Sequence, residues 1–175
     1  VILRDDAHLP GLADSKQLTH AQREQLYPRI CAAASAVGIA WVDPLTIDRI
    51  NILQASLTAM ERAIARLAQT PDLVLVDGNQ RLPRYTGLQQ TVIEGDGHSA
   101  AIAAAAIIAK VQRDRYMRCL DLRHPSYGFA SHKGYHAPLH IDALRTHGHS
   151  PHHRMSFHIR ALDEPELPFA DTPQA

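Results

Sequence analysis

The chain has 175 residues, 45% of them hydrophobic and 21% charged, a composition that fits one soluble globular domain and excludes a disordered or fibrous protein. Its 18 basic and 18 acidic residues cancel, so bulk charge neither demands nor excludes a polyanionic partner, and local clustering must decide. Two cysteines, Cys31 and Cys119, exclude a disulfide framework and show no metal-ligand spacing; both fall in predicted helices and read as small core residues.

The chain opens on VIL followed by RDD, the end of a strand entering a loop, as if it began in the middle of a fold. Asp14-Ser15-Lys16 lies in the loop before the first helix and offers a hydroxyl and an ammonium to a phosphate, or simply a capped turn. Thr19 is the expected N-cap of a helix reaching to about Val37 and stopping at Gly38, with Pro28 predicting a kink or a break. Gly38 to Val42 reads as a short apolar strand, ended by Asp43-Pro44. Residues 51 to 68 form the clearest amphipathic helix, with Leu53, Leu57, Met60, Ile64 and Leu67 on one face.

Leu73 to Val76 is a continuous apolar run, as expected of a strand buried on both faces, and it ends in Asp77. Residues 79 to 90 read as a loop, and Thr91 to Ile93 as the next strand, followed by Asp96. A helix from about Ser99 to Asp121 is apolar all round in its first half, as a helix through the domain centre would be, and basic in its second. A loop rich in Gly, His and Tyr follows, then a helix from Pro138 to His147. Beyond Phe157 the Pro-rich acidic segment, 158–175, reads as a flexible tail, leaving 1–157 as one domain. The run Ala100–Ala109 is too short to span a bilayer and nothing resembles a signal peptide, so a reducing, cytoplasmic compartment and no membrane partner are expected. Strands alternating with helices make this an α/β domain.

Asp77 and Asp96 each follow an apolar strand, where α/β folds place their ligands. Hard cations such as Mg²⁺ take one or two carboxylates plus substrate phosphate oxygens, so the pair suits a metal; equally, each could end a strand, or Asp96 could cap the next helix. Glu94 is an extra candidate, since period-two alternation points it to the face of Asp96. Lys110, Arg113, Arg115 and Arg118 could meet a phosphate backbone or form a solvated helix end. His132, Lys133, Tyr135, His152, His153 and Arg154 fall in polar loops, where a phenol beside cations suits stacking on a sugar or base. Zinc is disfavoured: the histidines have no cysteine partner and no zinc spacing, and read as surface residues.

Seven motifs then stand in one order: GLADSKQL at 11–18, INIL with AM at 50–60, LVDGN at 75–79, GD at 95–96, IAAAAIIAKVQRDR at 102–115, YGFASHKGY at 127–135 and SPHHRMSF at 150–157. Together they resemble ribonuclease HII, the bacterial type 2 ribonuclease H. The resemblance implies a ribonuclease H-like α/β fold, a mixed central sheet flanked by helices. It implies an endonuclease that uses Mn²⁺ or Mg²⁺ to hydrolyse the RNA strand of RNA–DNA hybrids and to cut DNA 5′ to embedded ribonucleotides, by in-line attack of water that leaves a 3′-hydroxyl and a 5′-phosphate. It makes Asp77 and Asp96 two of four catalytic, metal-binding carboxylates. It makes Tyr135 the residue that helps recognise the ribose at an RNA–DNA junction, with Ser15, Lys16 and Lys133 as substrate contacts.

The family pattern opens with a strand ending in Asp-Glu and then a Gly-Arg-Gly loop, and no such pair with that loop occurs here; Asp163-Glu164 has no Gly-Arg-Gly behind it. Ala106 stands where serine is common and Glu94 where lysine is. The expectation is therefore a monomer lacking its N-terminal strand or strands, inactive by itself for want of two carboxylates and poorly stable. A non-catalytic duplex-binding remnant and the related ribonuclease HIII are the alternatives.

Overall fold

The computed structural model describes residues 1–159 and Leu162. Helix α1, His20–Ala33, starts where the cap predicts: Thr19 Oγ1 accepts from the Gln22 amide at 3.3 Å, and the Gln22 side chain accepts from the Thr19 amide at 2.8 Å. Pro28 does not break it. The proline lies on the exposed face, where losing one backbone donor costs least. The helix stops short of Val37 because Ala34–Ala36 leaves it as strand β2 and pairs antiparallel with β1, Ile2–Leu3. The strand expected at Gly38–Val42 is not formed. Gly38 instead passes so close to the following helix that an added Cβ would lie 2.0 Å from the Ala63 carbonyl oxygen.

Asp43-Pro44 starts a helix rather than merely breaking the chain. In α2, Pro44–Ile64, Asp43 caps the Thr46 amide at 2.9 Å and Pro44 takes the first position, where its missing donor has no partner to lose. Asn51 interrupts α2 at φ 65°, and its Oδ1 accepts from the Gln54 amide at 3.1 Å, so it caps the second segment. The amphipathic helix expected from residue 51 is that segment, ending at Ile64. Of its expected face Leu57 is buried, but Leu53 and Met60 are exposed, and Ala55 and Thr58 are buried instead. The reason is the partner: Val76 and Leu82 cover Leu57, with Ile64 packed against the same cluster, and leave Leu53 and Met60 uncovered.

Strands β3, Val74–Asp77, and β4, Gln89–Val92, pair in parallel, Val74 opposite Gln89 and Asp77 opposite Val92. Each is displaced from its expected limits, leaving Leu73 and Ile93 exposed outside the ladder. Burial of β3 on both faces is not found: only Val76 is fully buried, because among the described residues β3 has β4 as its single neighbour. The architecture is α/β with antiparallel and parallel pairing, divided between two two-stranded sheets.

Helix α3, Ala100–Arg123, is the axis of the fold, as its composition predicts. Ile102, Ala103, Ala104, Ile107, Ile108 and Val111 are buried in its first half, where Ala104, Ile107, Ile108 and Val111 meet Leu26 and Ile30 of α1. Each buried Ile, Leu or Val side chain of this contact contributes roughly 1.5–3 kcal/mol. Its second half packs Met117 and Leu120 on Tyr127, on Phe129 of the short helix α4, Phe129–His132, and on Leu144 of α5, Pro138–His147. Cys31 and Cys119 are exposed rather than core residues: each follows or precedes a buried neighbour, Ile30 or Leu120, and so points away from it around its helix. No helix among the described residues is long and apolar enough to cross a membrane. The expected tail falls almost wholly outside the described residues.

Candidate functional site

The parallel pair brings Asp77 and Asp96 to one end of the sheet. Asp77 is the last residue of β3, and its Oδ1 accepts the Gly95 amide at 2.9 Å, so one carboxylate holds the turn that carries the other. Residues 95–97 form that turn, a single 3₁₀ turn between β4 and α3. Gly95 packs closely there: an added Cβ would lie 2.4 Å from Ile102 Cδ1, so that side chain would have to shift to admit one. Asp96 is 7% exposed and does not cap α3; Ser99 occupies the cap position. Glu94 does not share its face. The strand ends at Val92, and Glu94 adopts a left-handed conformation and is exposed, so alternation no longer applies.

The Asp14–Lys16 loop closes over this end. Asp14 Oδ1 accepts the Lys16 amide at 2.8 Å, a turn built by the side chain, and this bond holds the Asp14 carboxyl below its ordinary range. Arg23 of α1 donates to the Ser15 carbonyl at 2.9 Å and to the Leu18 carbonyl, which fixes the loop on the helix. Lys16 Nζ then stands 3.4 Å from Asp96 Oδ2. That hydrogen bond, with the charges of Asp96, Asp14 and Asp77, raises the Lys16 pKa. An open depression of about 540 Å³ runs beside them, lined by Asp14, Asp96, Leu12 and Ser99.

A divalent cation fits the donor chemistry. Asp77 is open to solvent, and the buried Asp96 meets its cation, Lys16, at the long end of hydrogen bonding. Two carboxylates also match a cation that keeps most of its ligands from water and substrate phosphate. Among the described residues no group of three or more His, Cys, Asp or Glu side chains is arranged to hold a metal, zinc included.

Tyr135 lies beyond α4 and is 55% exposed. Its ring rests 5.2 Å from the Lys110 ammonium and 5.1 Å from the Arg113 guanidinium, which tie it to α3. Arg113 also donates to the Lys133 carbonyl at 2.7 Å, and the Lys133 ammonium donates to the Ala130 carbonyl. The basic run of α3 is thus largely engaged inside the protein. Lys110 bonds Asp114 at 2.9 Å, and Arg115 and Arg118 bond Glu24 of α1 at 2.6 and 2.8 Å, holding the Glu24 carboxyl below its ordinary range.

Residues 4–160 match the family model described as Ribonuclease HII. The chain belongs to the ribonuclease HII family. It is 46% identical over 170 residues to the ribonuclease HII of Shewanella sp. (strain ANA-3), covering 94% of this chain and 81% of that one. It is 51% identical over 160 residues to that of Cupriavidus necator, covering 90% and 67%. The fold is similar to the crystal structure of the ribonuclease H2 from Pyrococcus horikoshii, with a TM-score of 0.70 at 24% identity over 87% of this chain and 79% of that one. Membership places the chain in the ribonuclease H class of endonucleases.

Two features of this ribonuclease HII chain escape sequence reasoning. Asp114, 3% exposed, gathers Lys110, His20 and Arg23 around one carboxylate and so joins the Tyr135 side of the site to the Ser15–Lys16 loop. Asp48 in the first segment of α2 accepts the Met155 and Ser156 amides at 2.9 and 3.0 Å, fastening the SPHHRMSF loop across the chain. Both partners lie far apart in sequence, and only the i, i+4 spacing of Lys110 and Asp114 is a local signal.

Proposed function

We propose that this chain carries half of a metal-dependent site that hydrolyses the RNA strand of RNA–DNA hybrids and cuts DNA on the 5′ side of embedded ribonucleotides. The observation that carries it is the Asp77–Gly95 hydrogen bond, which binds both carboxylates into one unit at the end of the parallel pair. Asp77 and Asp96 would hold Mn²⁺ or Mg²⁺. A bound divalent cation supplies charge stabilisation to the phosphodiester oxygens and makes water a better nucleophile. Lys16 and Ser15, on the loop that faces Asp96, contact the substrate backbone. The exposed face of Tyr135 meets the ribose at the junction, and Lys133 steadies the strand beside it. The protein acts as a cytoplasmic monomer.

The resemblance implies four carboxylates, of which this chain brings two to the site, so cleavage by the chain alone is expected to be negligible. The test is cleavage of a labelled DNA duplex containing one ribonucleotide, in Mn²⁺ and in Mg²⁺, with and without an added N-terminal segment bearing the Asp-Glu and Gly-Arg-Gly pattern. The expected result is cleavage restored by the segment, giving a 3′-hydroxyl and a 5′-phosphate, and abolished by Asp77→Asn. Salt-dependent binding without cleavage under either metal, segment included, would instead favour a duplex-binding remnant. The internal pairing of Arg115 and Arg118 argues against that alternative.

A further inference from the structure

Three histidines form a continuous chain behind Tyr135. Hydrogen-bond chemistry fixes their tautomers. A carbonyl only accepts, so His140 Nδ1 carries the hydrogen it gives to the Tyr135 carbonyl at 3.0 Å. Its Nε2 is then a lone pair, and His153 Nε2, 3.0 Å away, is the donor to it. His153 Nδ1 is in turn a lone pair and accepts the Ser150 amide at 2.9 Å. His132 follows the same logic: Nε2–H donates to the Tyr127 carbonyl at 2.7 Å, and Nδ1 accepts the Gly134 amide at 3.1 Å. The rings of His132 and His140 stack with centroids 4.2 Å apart and planes 12° apart, and both residues are buried. Every imidazole nitrogen of the three has a partner.

This chain converges on a strained turn. Lys133 and Gly134 adopt left-handed conformations in succession, at φ 53° and 74°. For lysine that conformation is unfavourable and persists only when its surroundings impose it. The Tyr135 amide, directly after the turn, donates to the His132 carbonyl at 2.9 Å. The peptide groups on both sides of Tyr135 are therefore held by histidines. Its ring is left exposed, aimed by Lys110 and Arg113.

We infer that His140 and His153 are positioning residues that set the Tyr135 ring for contact with a ribonucleotide in duplex DNA. The inference rests on the role of Tyr135 proposed above. His153 stands on the SPHHRMSF loop that Asp48 fastens to α2, so the placement of Tyr135 is coupled to that loop.

The experiment uses the full chain, bearing 3-fluorotyrosine, with the Tyr135 ¹⁹F signal assigned by Tyr135→Phe. His153→Leu removes the donor to His140, and His153→Gln keeps an amide N–H in its place. The expected result is a displaced Tyr135 signal in His153→Leu and an unchanged one in His153→Gln. In parallel, binding is compared without cleavage, in EDTA, between a DNA duplex with one ribonucleotide and the all-DNA duplex. His153→Leu should lose preference for the ribonucleotide by about tenfold, roughly 1.4 kcal/mol, as should Tyr135→Ala, and combining them should cost no more than either. An unchanged ¹⁹F signal in folded His153→Leu overturns the inference. Should that variant fail to fold, ¹⁵N shifts of the unaltered protein decide it: protonated Nδ1 on His140 and Nε2 on His153 support it, and the opposite tautomers overturn it. Should Tyr135→Ala keep the preference, the ribose role falls, while the ¹⁹F signal still decides whether the histidines place the ring.

Discussion

The Asp114 carboxylate lies 2.9 Å from the Lys110 ammonium, one turn earlier on α3, with the Asp114 side chain 4% exposed and the lysine side chain 26%. Arg23 reaches the other oxygen of the same carboxylate at 3.9 Å. A buried carboxylate thus neutralises the two cations that hold Tyr135 and the Ser15–Lys16 loop.

Removing it leaves those cations uncompensated. Asp114→Ala should destabilise the fold by about 3 kcal/mol, within the range for breaking a buried ion pair. Urea unfolding monitored by circular dichroism measures this. A loss below about 1 kcal/mol, the range of a surface pair, would show that water already screens the cluster.

Gly38 packs against the Ala63 carbonyl with no room for a side chain. Gly38→Ala should cost roughly 2 kcal/mol by overpacking, although alanine lowers the entropy of the unfolded chain. A rise in melting temperature would mean that the link between β2 and α2 shifts freely.

Acid should unfold the histidine chain. Burial, followed by the nearby charges of His140, His149 and His152, lowers His153 from 6.5 to about 4, and burial also lowers His140. The folded state therefore prefers neutral rings. Between about pH 4 and 6.5 the unfolded chain binds more protons, so stability rises with pH through that window and is lost as pH falls. His153 is half-buried, so solvent screening keeps its contribution below the ~1.4 kcal/mol per pH unit that a single group can supply. Unfolding midpoints from pH 7 to 4 should fall more steeply in the unaltered protein than in His153→Gln, and equal slopes would refute the assignment.

The α3 cations should differ from Lys16 in duplex binding. Lys16 is 79% exposed and meets Asp96 only at 3.4 Å, whereas Arg118 is paired with Glu24 at 2.8 Å. Lys16→Met should lower the slope of log affinity against log salt by about 1, and Arg118→Ala should leave it near its starting value. Equal effects would return the whole basic run to the interface.

Local signals carried much of the fold. The Thr19 cap, the apolar half of α3 and the Pro138–His147 helix need only neighbouring residues, and each stands where its pattern put it. The placement of Asp77 and Asp96 at one end of the parallel pair was legible for the same reason, as polar residues after apolar runs. What sequence could not supply depends on distant partners. The pairing of β2 with β1 displaced the expected strand at Gly38–Val42, and Val76 and Leu82 cover only part of the expected face of α2, at Leu57 and Ile64. The basic run of α3 was ambiguous because its neutralising Glu24 lies on another helix. The histidines read as surface residues because burial of a polar ring depends on partners that spacing does not reveal.

Cys31 and Cys119 are the only thiols, and both face solvent, one on each of the two helices whose contact forms the core. Unaltered, the chain therefore carries two attachment points for nitroxide spin labels. The interspin distance would report the separation of α1 and α3, and its broadening would reveal loosening of that contact before either helix unwinds.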